Sequence, residues 1–598
     1  MNINFKKTLS LSSFSKFLSF IFLVYILFCT TNCKKPVPEE DTSDQLNILL
    51  ISLDACRADH LSSYGYHRKT SPFLDSIAAK GIRFANAFVN THGTTTSHVT
   101  LLTSLYQESH KVDYDIKFVP RSALMIQEIL KAHGYTTLAV TDGGRLAHQF
   151  GFDRGFIEYD DRGGGVLKGS KKLIKLINKH RKKDKNPIFA FFHTYEIHSP
   201  YFPPKKYQSI FGEYKSGFKP SSGNLVEFSK KVYELKQEDL EYIKAMYDAG
   251  IRYTDDILQN LFNELQESGF LENYLLIITA DHGEEFGEHG GLLHLNKLYD
   301  ELLHVPLIIT GSNIPKGVVD KRLVGSVDIV PTILNQLNIK RLKHMGGISL
   351  LSQESLSKEK KEAIFSQYGN LRYSIRTLTW KLIENRKPLS LEFYNLEKDP
   401  QEHNNVSAQY PDLVSQFQNR IKNWKKRVPD LSESISASKE RPKEKLSKKQ
   451  IEQLKSLGYV SDSKKRKKEI VTEETFNQLV KLKLPETSNN IKFSIANLEV
   501  EDTFIKIRGW AFIKGQNAIN SQIFIALVSP QKTYLFDTYV QIRADVSRHF
   551  KVENLDDSGF ISIIEKRILN RGKYQVGIYI KKDESEAYQL LNRYITIE

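Results

Sequence analysis

Short apolar runs that end in a polar or acidic residue recur along the first half of the chain. They are Asn47–Asp54 (NILLISLD), Thr136–Asp142 (TTLAVTD), Pro187–Tyr195 (PIFAFFHTY), Tyr274–Asp281 (YLLIITAD) and Val305–Gly311 (VPLIITG). Runs this short and this uniformly apolar predict strands buried on both faces, as in a parallel sheet. Between them, Ser122–His133 and Gln237–Ser268 repeat their apolar residues at helical spacing. The alternation predicts an α/β fold, a mostly parallel sheet flanked by helices. In such folds ligands collect beyond the carboxyl ends of the strands, and Asp54, His193, His198, Asp281 and His282 all fall there.

The pattern changes in the second half. Past Asn385 comes a hairpin-like region, then a helix over about Tyr410–Arg427, then a Ser/Lys/Glu-rich stretch of low hydrophobicity. Within that stretch Leu446–Leu457 (LSKKQIEQLKSL) predicts a helix stopped by Gly458. From about Ile491 the residues alternate as in antiparallel strands, at Ile505–Phe512, Gln522–Val528, Tyr534–Val540 and Tyr574–Ile580, which predicts a separate all-β sandwich. The aromatic residues of its Arg508-Gly509-Trp510-Ala511-Phe512 and Asp557-Ser558-Gly559-Phe560 stretches are assigned to core packing rather than to a sugar platform.

The amino-terminal end adds a targeting signal. Lys6, Lys7 and Lys16 precede a 13-residue apolar run, Phe17–Cys29, too short for a comfortable membrane span and suited to a secretory signal. Cys29-Thr30-Thr31-Asn32-Cys33-Lys34 resembles a bacterial lipoprotein signal in which Cys33 becomes the lipidated first residue, although Leu is expected near Thr30 and Gly or Ala at Asn32. The expectation is export to the cell envelope of a bacterium, with a membrane anchor at Cys33. The expected organisation is a signal peptide (1–32), a tether (33–45), a catalytic core (46–385), the C-terminal part of that core (386–427), a basic linker with a short helix (428–484) and a β-sandwich (485–598).

Charge first points to nucleic acid and then away from it. The 598 residues carry 85 Lys+Arg against 70 Asp+Glu, a balance of +15. Removal of the signal takes three lysines with it and leaves +12, and residues 421–470 alone hold 16 basic and 7 acidic residues. Another basic run, Lys168–Lys185, has Leu173, Ile174, Leu176 and Ile177 at helical spacing, as an amphipathic surface helix does. A nearly balanced core with a basic tether suits an anionic envelope surface, and no nucleic-acid partner is expected. With three cysteines, two of them at the end of the signal, a disulfide framework is excluded.

The chemistry-bearing residues sit at the strand ends. Asp54 and Asp281 supply hard oxygen ligands, His282 an imidazole, and the turn Gly93-Thr94-Thr95-Thr96-Ser97-His98 a hydroxyl. Together they suit one divalent cation of the Zn, Mn or Ca type.

Their order and flanks resemble the sulfatase family of the alkaline phosphatase superfamily. The resemblance is carried by Asp54-Ala55-Cys56-Arg57 through Tyr64-Gly65-Tyr66, by Thr70-Ser-Pro-Phe-Leu-Asp75, and by Thr94–Thr103. It continues through Gly151-Phe-Asp153-Arg-Gly155-Phe156, His198-Ser-Pro200-Tyr201, Thr279-Ala-Asp281-His282-Gly283-Glu284, Glu288-His289-Gly290, Val305-Pro306-Leu307 and Val327-Asp328-Ile-Val-Pro331-Thr332. Phe393-Tyr394-Asn-Leu-Glu-Lys-Asp399-Pro400 and Leu457-Gly458-Tyr459-Val460 extend it to about residue 460. It implies an alkaline phosphatase-like core and a metal-dependent hydrolase.

One departure bears on the chemistry. True sulfatases carry Cys or Ser in a Cys/Ser-x-Pro-Ser-Arg motif, oxidised to an aldehyde; here Thr94 stands at that position, with Thr96 and His98 replacing Pro and Arg. A threonine oxidises only to a ketone. A Thr nucleophile is instead what the resemblance finds in phosphoryl-transfer branches such as lipoteichoic acid synthases, phosphoethanolamine transferases and nucleotide phosphodiesterases. The expectation is therefore a phosphoesterase or phosphotransferase acting on envelope or extracellular phosphate esters, with Thr94 as nucleophile and His198 as acid or phosphate ligand. Asp54, Thr94, Asp281 and His282 are expected to hold the metal. Glu196, His98, His289, His294 and Lys297 are candidates for a second metal or for the substrate, a phosphorylated or sulfated lipid or glycan. The family's Asp-Asp pair has Ala55 at its second position, which favours one metal. The alternatives are a sulfuric ester hydrolase without formylglycine, and an inactive surface binding protein. Arg57 is expected in a structural ion pair and Cys56 in the core.

Overall fold

The computed structural model describes residues 46–113, 118–213, 218, 220–229, 232, 235–352, 361–386, 389–429, 447–457, 484–501, 504–518, 521–541, 544–550, 555, 558–582 and 585–597. The expected signal, the tether and Cys33 lie outside them, as do Gly458, Tyr459 and Val460 of the Leu-Gly-Tyr-Val motif and Asp557. Among the described residues no helix is long and apolar enough to cross a membrane.

The first half folds around one sheet of eight strands: β1 (Asn47–Leu53), β2 (Ile82–Phe88), β3 (Thr136–Val140), β4 (Glu158–Asp160), β5 (Ile188–Thr194), β6 (Tyr274–Thr279), β9 (Leu307–Gly311) and β10 (Val318–Gly325). A short hairpin of β7 (Glu285–Phe286) and β8 (Leu292–Leu293) stands apart from it. The order across the sheet is β10-β2-β9-β6-β1-β5-β3-β4. All seven residues of β1 and of β5 are buried. Ile48 and Leu50 join the core on one face with Phe189, Phe191 and Ile277, while Leu49, Ile51 and Leu53 join the other with Phe192 and Ile278. Each such side chain contributes roughly 1.5–3 kcal/mol by leaving water, which is why the strands alternate faces yet read as unbroken apolar runs.

The Val305–Gly311 run is the one that breaks the parallel pattern. β9 lies antiparallel to both β6 and β2. No crossover helix of useful length separates it from β6, so the chain returns beside the strand it has just left, which only antiparallel pairing allows.

Helices cover both faces. They include α1 (Thr94–Thr103), α2 (Gly165–Lys183) and α3 (Gln237–Glu267). In α2 the apolar face of Val166, Leu173, Ile174 and Ile177 is buried and Lys168, Lys171, Lys175, Lys182 and Lys183 are exposed, the amphipathic surface helix expected of the basic run. Asp255 of α3 reaches the helix Pro72–Ala79 and accepts hydrogen bonds from the Phe73 and Leu74 N–H groups, both 2.8 Å. It thus satisfies two amides that the helix cannot pair internally.

The region past the core is a four-stranded antiparallel meander of β11 (Ile364–Tyr368), β12 (Arg372–Arg376), β13 (Trp380–Arg386) and β14 (Leu389–Asn395). It begins before Asn385, so the expected boundary at 385/386 falls at the end of β13 rather than between units. α4 (Pro411–Arg427) lays Val414, Phe417, Ile421 and Trp424, one helical stripe, onto Tyr373, Ile375, Leu382 and Phe393. The expected linker helix forms as α5 (Lys448–Ser456).

The C-terminal segment has two four-stranded antiparallel sheets. One orders β15 (Ile491–Val500), β16 (Phe504–Ile513), β20 (Gly559–Glu565) and β19 (Tyr539–Gln541); the other orders β18 (Thr533–Phe536), β17 (Gln522–Val528), β21 (Gly572–Lys582) and β22 (Ser585–Ile597). Ile505, Ile507, Ile525, Leu527, Phe560, Val576 and Ile578 fill the space between them. The single strand expected over Tyr534–Val540 is two strands, β18 and β19, that belong to opposite sheets, because the chain crosses between them at Asp537–Thr538. Phe512 and Phe560 are buried, and Trp510 packs beside Phe512 and Phe550, so these aromatic residues serve a core.

Asp255→Ala is expected to lower the stability of the catalytic unit by about 1–3 kcal/mol, read as a lower urea midpoint, since two amides lose their acceptor. An unchanged midpoint would show that solvent replaces the cap.

Candidate active site

Parallel pairing brings two carboxylates together at the carboxyl edge of the sheet. β1 and β6 are neighbours, with Ser52 opposite Thr279, so Asp54 and Asp281 leave the sheet side by side, each two residues on. Both are fully buried. On the other side of β1, Ser52 pairs with His193 of β5. His193 Nε2 lies 3.1 Å from Asp54 Oδ2, and the Asp54 N–H donates to the Thr194 carbonyl.

The remaining oxygens face one another. Asp54 Oδ1, Asp281 Oδ2 and His282 Nε2 are buried without a hydrogen-bond partner, and the three residues each place a ligand atom within 4.8 Å of the others. His282 Nε2 is 3.7 Å from Asp54 Oδ1 and 3.4 Å from Asp281 Oδ2. His282 Nδ1 donates to the Gly283 carbonyl at 2.8 Å. A carbonyl can only accept, so the proton sits on Nδ1 and the Nε2 lone pair points at the carboxylates, the posture of a metal ligand. Three orphaned buried ligand atoms of this kind fit a single divalent cation, because unpaired buried carboxylate oxygens are otherwise costly.

The other atoms of the trio are held by the backbone. Asp281 Oδ1 accepts from the N–H groups of Ala55 (3.3 Å) and His282 (3.0 Å). Ala55 has φ 59, a left-handed turn immediately after Asp54. The position where the family has a second Asp thus serves here through its amide. At Gly283 an added Cβ would collide with the Glu301 carbonyl, so the Asp-His pair needs glycine after it.

Thr94 enters from the opposite side. Gly93 has φ 96, open chiefly to glycine, and sets Thr94 as the first residue of α1. The Thr94 side chain is 2% exposed and hydrogen-bonds the Asp54 carboxylate. His98, one turn on, donates from Nδ1 to the Thr94 carbonyl (2.7 Å), and its Nε2 accepts from the Ser52 hydroxyl (2.9 Å). Both ring nitrogens are committed, so His98 ties the Thr94 turn to β1.

The electrostatics follow from burial. Burial and then the Asp281 charge push the Asp54 carboxyl well above the usual range. Burial also opposes the Asp281 charge, but the imidazoles of His282, His98 and His193 outweigh it and hold that carboxyl low. The pair is short of positive charge.

A second group of histidines rims the trio. His294 stands 4.3 Å, ring to ring, from His282, and its Nδ1 is 3.0 Å from Glu284 Oε1. His198 lies 4.9 Å from His294, with Nδ1 donating to the Ser199 carbonyl at 2.7 Å. Burial pushes the imidazoles down, His198 to about 3 and His294 to about 4, and pushes the Glu284 carboxyl up to about 7. Arg145, half-buried in the loop after β3, adds its charge to the depression of His294, and its N–H donates to the Tyr195 hydroxyl at 3.0 Å. His92 is buried and stacked on Tyr368 of the meander, 4.9 Å between rings, with His282 and His294 in its electrostatic surroundings.

Of the candidates for a second metal or the substrate, only His294 and His98 reach this cluster. Glu196 instead accepts from the Val166 N–H (3.0 Å) and caps the start of α2. His289 is held between Glu301 (2.6 Å) and the Glu402 carbonyl (3.0 Å) and stacks on Tyr299. Lys297 pairs with both oxygens of Glu285, 2.7 and 2.9 Å. Glu285, His289 and Glu301 do have metal-like spacing, yet Lys297 already neutralises the carboxylate that would bind. Arg57 pairs with Asp59 and Glu288 beneath the site, and Cys56 is a buried free thiol. The sequence reading missed Glu284, Arg145 and His92. The first was visible as the residue after Asp-His-Gly; the other two lie in loops with no periodic signal.

Known proteins resemble this chain in sequence and fold. Residues 46–339 match the family model for sulfatases, and 287–427 match that for the C-terminal region of N-sulphoglucosamine sulphohydrolase. An ulvan-active sulfatase of Formosa agariphila is 26% identical over 426 residues, covering 64% of this chain and 81% of the relative. Arylsulfatase K of Bos taurus is 29% identical over 201 residues, which is 31% of this chain and only 37% of that enzyme. Among solved structures, a phosphonate monoester hydrolase of Agrobacterium radiobacter superposes with a TM-score of 0.55 at 21% identity, over 65% of this chain and 97% of the other. One solved with D-glucosamine-2-N,6-O-disulfate superposes at 0.54 and 17% identity, over 67% of this chain and all of the other.

Two outcomes check the cation site. The purified protein is expected to retain a divalent metal by elemental analysis, and Asp281→Ala to lose it. After chelation, Asp54→Asn is expected to melt at a higher temperature than wild type, because it removes one of two buried like charges; a lower melting temperature would contradict the repulsion.

Proposed function

Residues 46–339 make this chain a member of the sulfatase family, and on that premise we propose a metal-dependent hydrolase of phosphate esters that uses Thr94 as nucleophile. The observation that carries the reading is the Thr94 hydroxyl, buried and bonded to Asp54 beside the three orphaned ligand atoms. Asp54, Asp281 and His282 would hold the cation, with Thr94 completing its surroundings. When bound, the metal supplies a Lewis acid that withdraws charge from the ester oxygens and favours the alkoxide form of a nearby hydroxyl.

The chain's own residues do the rest. Asp54 accepts the Thr94 hydrogen bond and aims its Oγ; His98 and Gly93 fix the turn that carries it. In the first half-reaction the Thr94 Oγ–P bond forms, the ester P–O bond breaks, and the alcohol leaves with the threonine proton. In the second, water forms the new P–O bond, the Thr94 Oγ–P bond breaks, and the proton returns to Oγ. His198 is suited to the second half. Its Nδ1–H is spent on the Ser199 carbonyl and burial keeps the ring neutral, so Nε2 takes the proton of the attacking water and passes it on to Oγ, beside the role of acid or phosphate ligand expected from sequence. Arg145 supplies a positive side to the mouth for the non-bridging oxygens.

A second reading, sulfate-ester hydrolysis, is favoured by the relatives, one named as ulvan-active sulfatase and another as arylsulfatase K. Sulfated glycan would then be the substrate. Chemistry favours phosphate, because an unmodified threonine must release its adduct by water attack on the central atom, whereas the aldehyde hydrate of true sulfatases expels sulfate by breaking carbon–oxygen. The leader and Cys33 would place the enzyme at the envelope, where lipid head groups and glycans bear such esters.

Thr94→Ala is expected to cut kcat/KM for an aryl phosphate by about a thousandfold or more with bound metal unchanged, and Thr94→Ser to retain part of it. Mass spectrometry of the quenched wild type should find phosphate on Thr94. Faster aryl sulfate turnover on the same preparation would support the second reading, and full turnover by Thr94→Ala would overturn both.

A further inference from the structure

The basic stretch between the catalytic segment and the sandwich reads as a linker, yet its helix α5 is seated on the catalytic unit. Leu454 is 2% exposed. The Gln450 and Gln149 side chains exchange two amide hydrogen bonds, 2.8 and 3.0 Å, and Gln453 Nε2 donates to the Asp142 carbonyl. Leu457 Cδ1 comes within 3.1 Å of where a Cβ on Gly144 would sit. The hydrogen bonds of Gln450 and Gln453 and the Leu457 contact all reach one stretch, Asp142–Gln149.

That stretch is fastened to the active site on its other side. Asp142 Oδ2 accepts from the Thr194 hydroxyl (2.8 Å) and the Tyr195 N–H (3.0 Å). The Arg145 N–H donates to the Tyr195 hydroxyl, and its carbonyl accepts from the Thr95 hydroxyl, next to the nucleophile, at 3.4 Å. The loop itself offers little stiffness. Gly143 and Gly144 both have positive φ, and only two single-turn helices, Gly144–Leu146 and His148–Phe150, follow. A loop of this kind keeps one conformation only while contacts on both sides outweigh its backbone entropy.

We propose that α5 is a brace for this loop, and that Gln453 and Leu454 are positioning residues that set Arg145 against the anion bound in the site. Residues 448–456 lie outside both matched segments, so the loop beside the site is contacted by a helix that neither matched segment contains. The kinetic side of this proposal rests on the ester-hydrolase reading; the structural side does not. The described contacts of the helix are two side-chain amides and a buried leucine, which salt does not screen.

The test uses full-length protein with Leu454→Asp and, as a milder variant, Gln453→Ala. Hydrogen exchange in peptides covering 142–149 is expected to accelerate by about tenfold, with peptides from β1 and β6 unchanged. Inorganic phosphate should bind about fivefold to tenfold more weakly, and KM for the aryl ester should rise by a similar factor with kcat within about twofold, the size of a lost hydrogen bond or two. In an Arg145→Ala background, Leu454→Asp should change phosphate binding no further, since the two act through one group. Unchanged exchange in 142–149 in both variants, additive effects with Arg145→Ala, or a rise in kcat that marks α5 as an inhibitory cover would each overturn the brace. If wild type turns over neither ester, the hydrolase reading fails while exchange and phosphate binding still decide the brace.

Discussion

Two carboxylates that neither water nor a protein cation neutralises govern this structure. Asp54 and Asp281 are fully buried, on adjacent parallel strands whose spacing of about 4.8 Å leaves them no room to diverge. At an effective dielectric of about 20, two such charges repel by roughly 3–4 kcal/mol. The surrounding groups reduce that cost without abolishing it. His193 and the Thr94 hydroxyl serve Asp54, the Ala55 and His282 amides serve Asp281, and one oxygen of each carboxylate is left over beside His282 Nε2. What remains is the donor set of a cation site.

The same strand that creates the problem also places Thr94. Ser52, two residues before Asp54, donates to His98 Nε2, and His98 Nδ1 holds the Thr94 carbonyl. A one-residue slip of β1 would therefore displace Asp54 and Thr94 together, and the paired register of the sheet holds both in place. The separation of Asp54 from Thr94 is thus governed by strand pairing, while loops form the surroundings of the pair.

This division explains what the sequence could and could not disclose. The strand runs over Asn47–Asp54 and Tyr274–Asp281 were legible because burial on both faces requires unbroken apolar residues, and the ligands were legible because they follow those runs directly. β2 and β10, with Arg83, Asn86, Asp320 and Lys321 among their residues, lie toward the edge and carry the mixed composition that burial does not police. Glu196, His289 and Lys297 had the right chemistry at short sequence separation, but a helix cap, a carboxylate bridge and an ion pair claimed them. Nothing in local spacing distinguishes a titratable side chain that serves the fold from one that serves the substrate. Arg145 shows the converse, since its place is set by contacts with Tyr195 and Thr95 far away along the chain.

The balance of +15 can now be assigned physically. The lysines of α2 project from one face while its other face packs on the sheet, and they stand along the helix rather than around the Asp54–Asp281 pair. Positive charge close to the site comes from Arg145 and from a cation the carboxylates would bind. An enzyme for anionic esters gains little from diffuse surface charge that salt screens within about 10 Å, and much from one guanidinium held at the mouth of a buried site. Composition therefore misdirects in such a chain: the α2 lysines lie where water screens them, and the charges nearest the carboxylates are those the fold has partly removed from water.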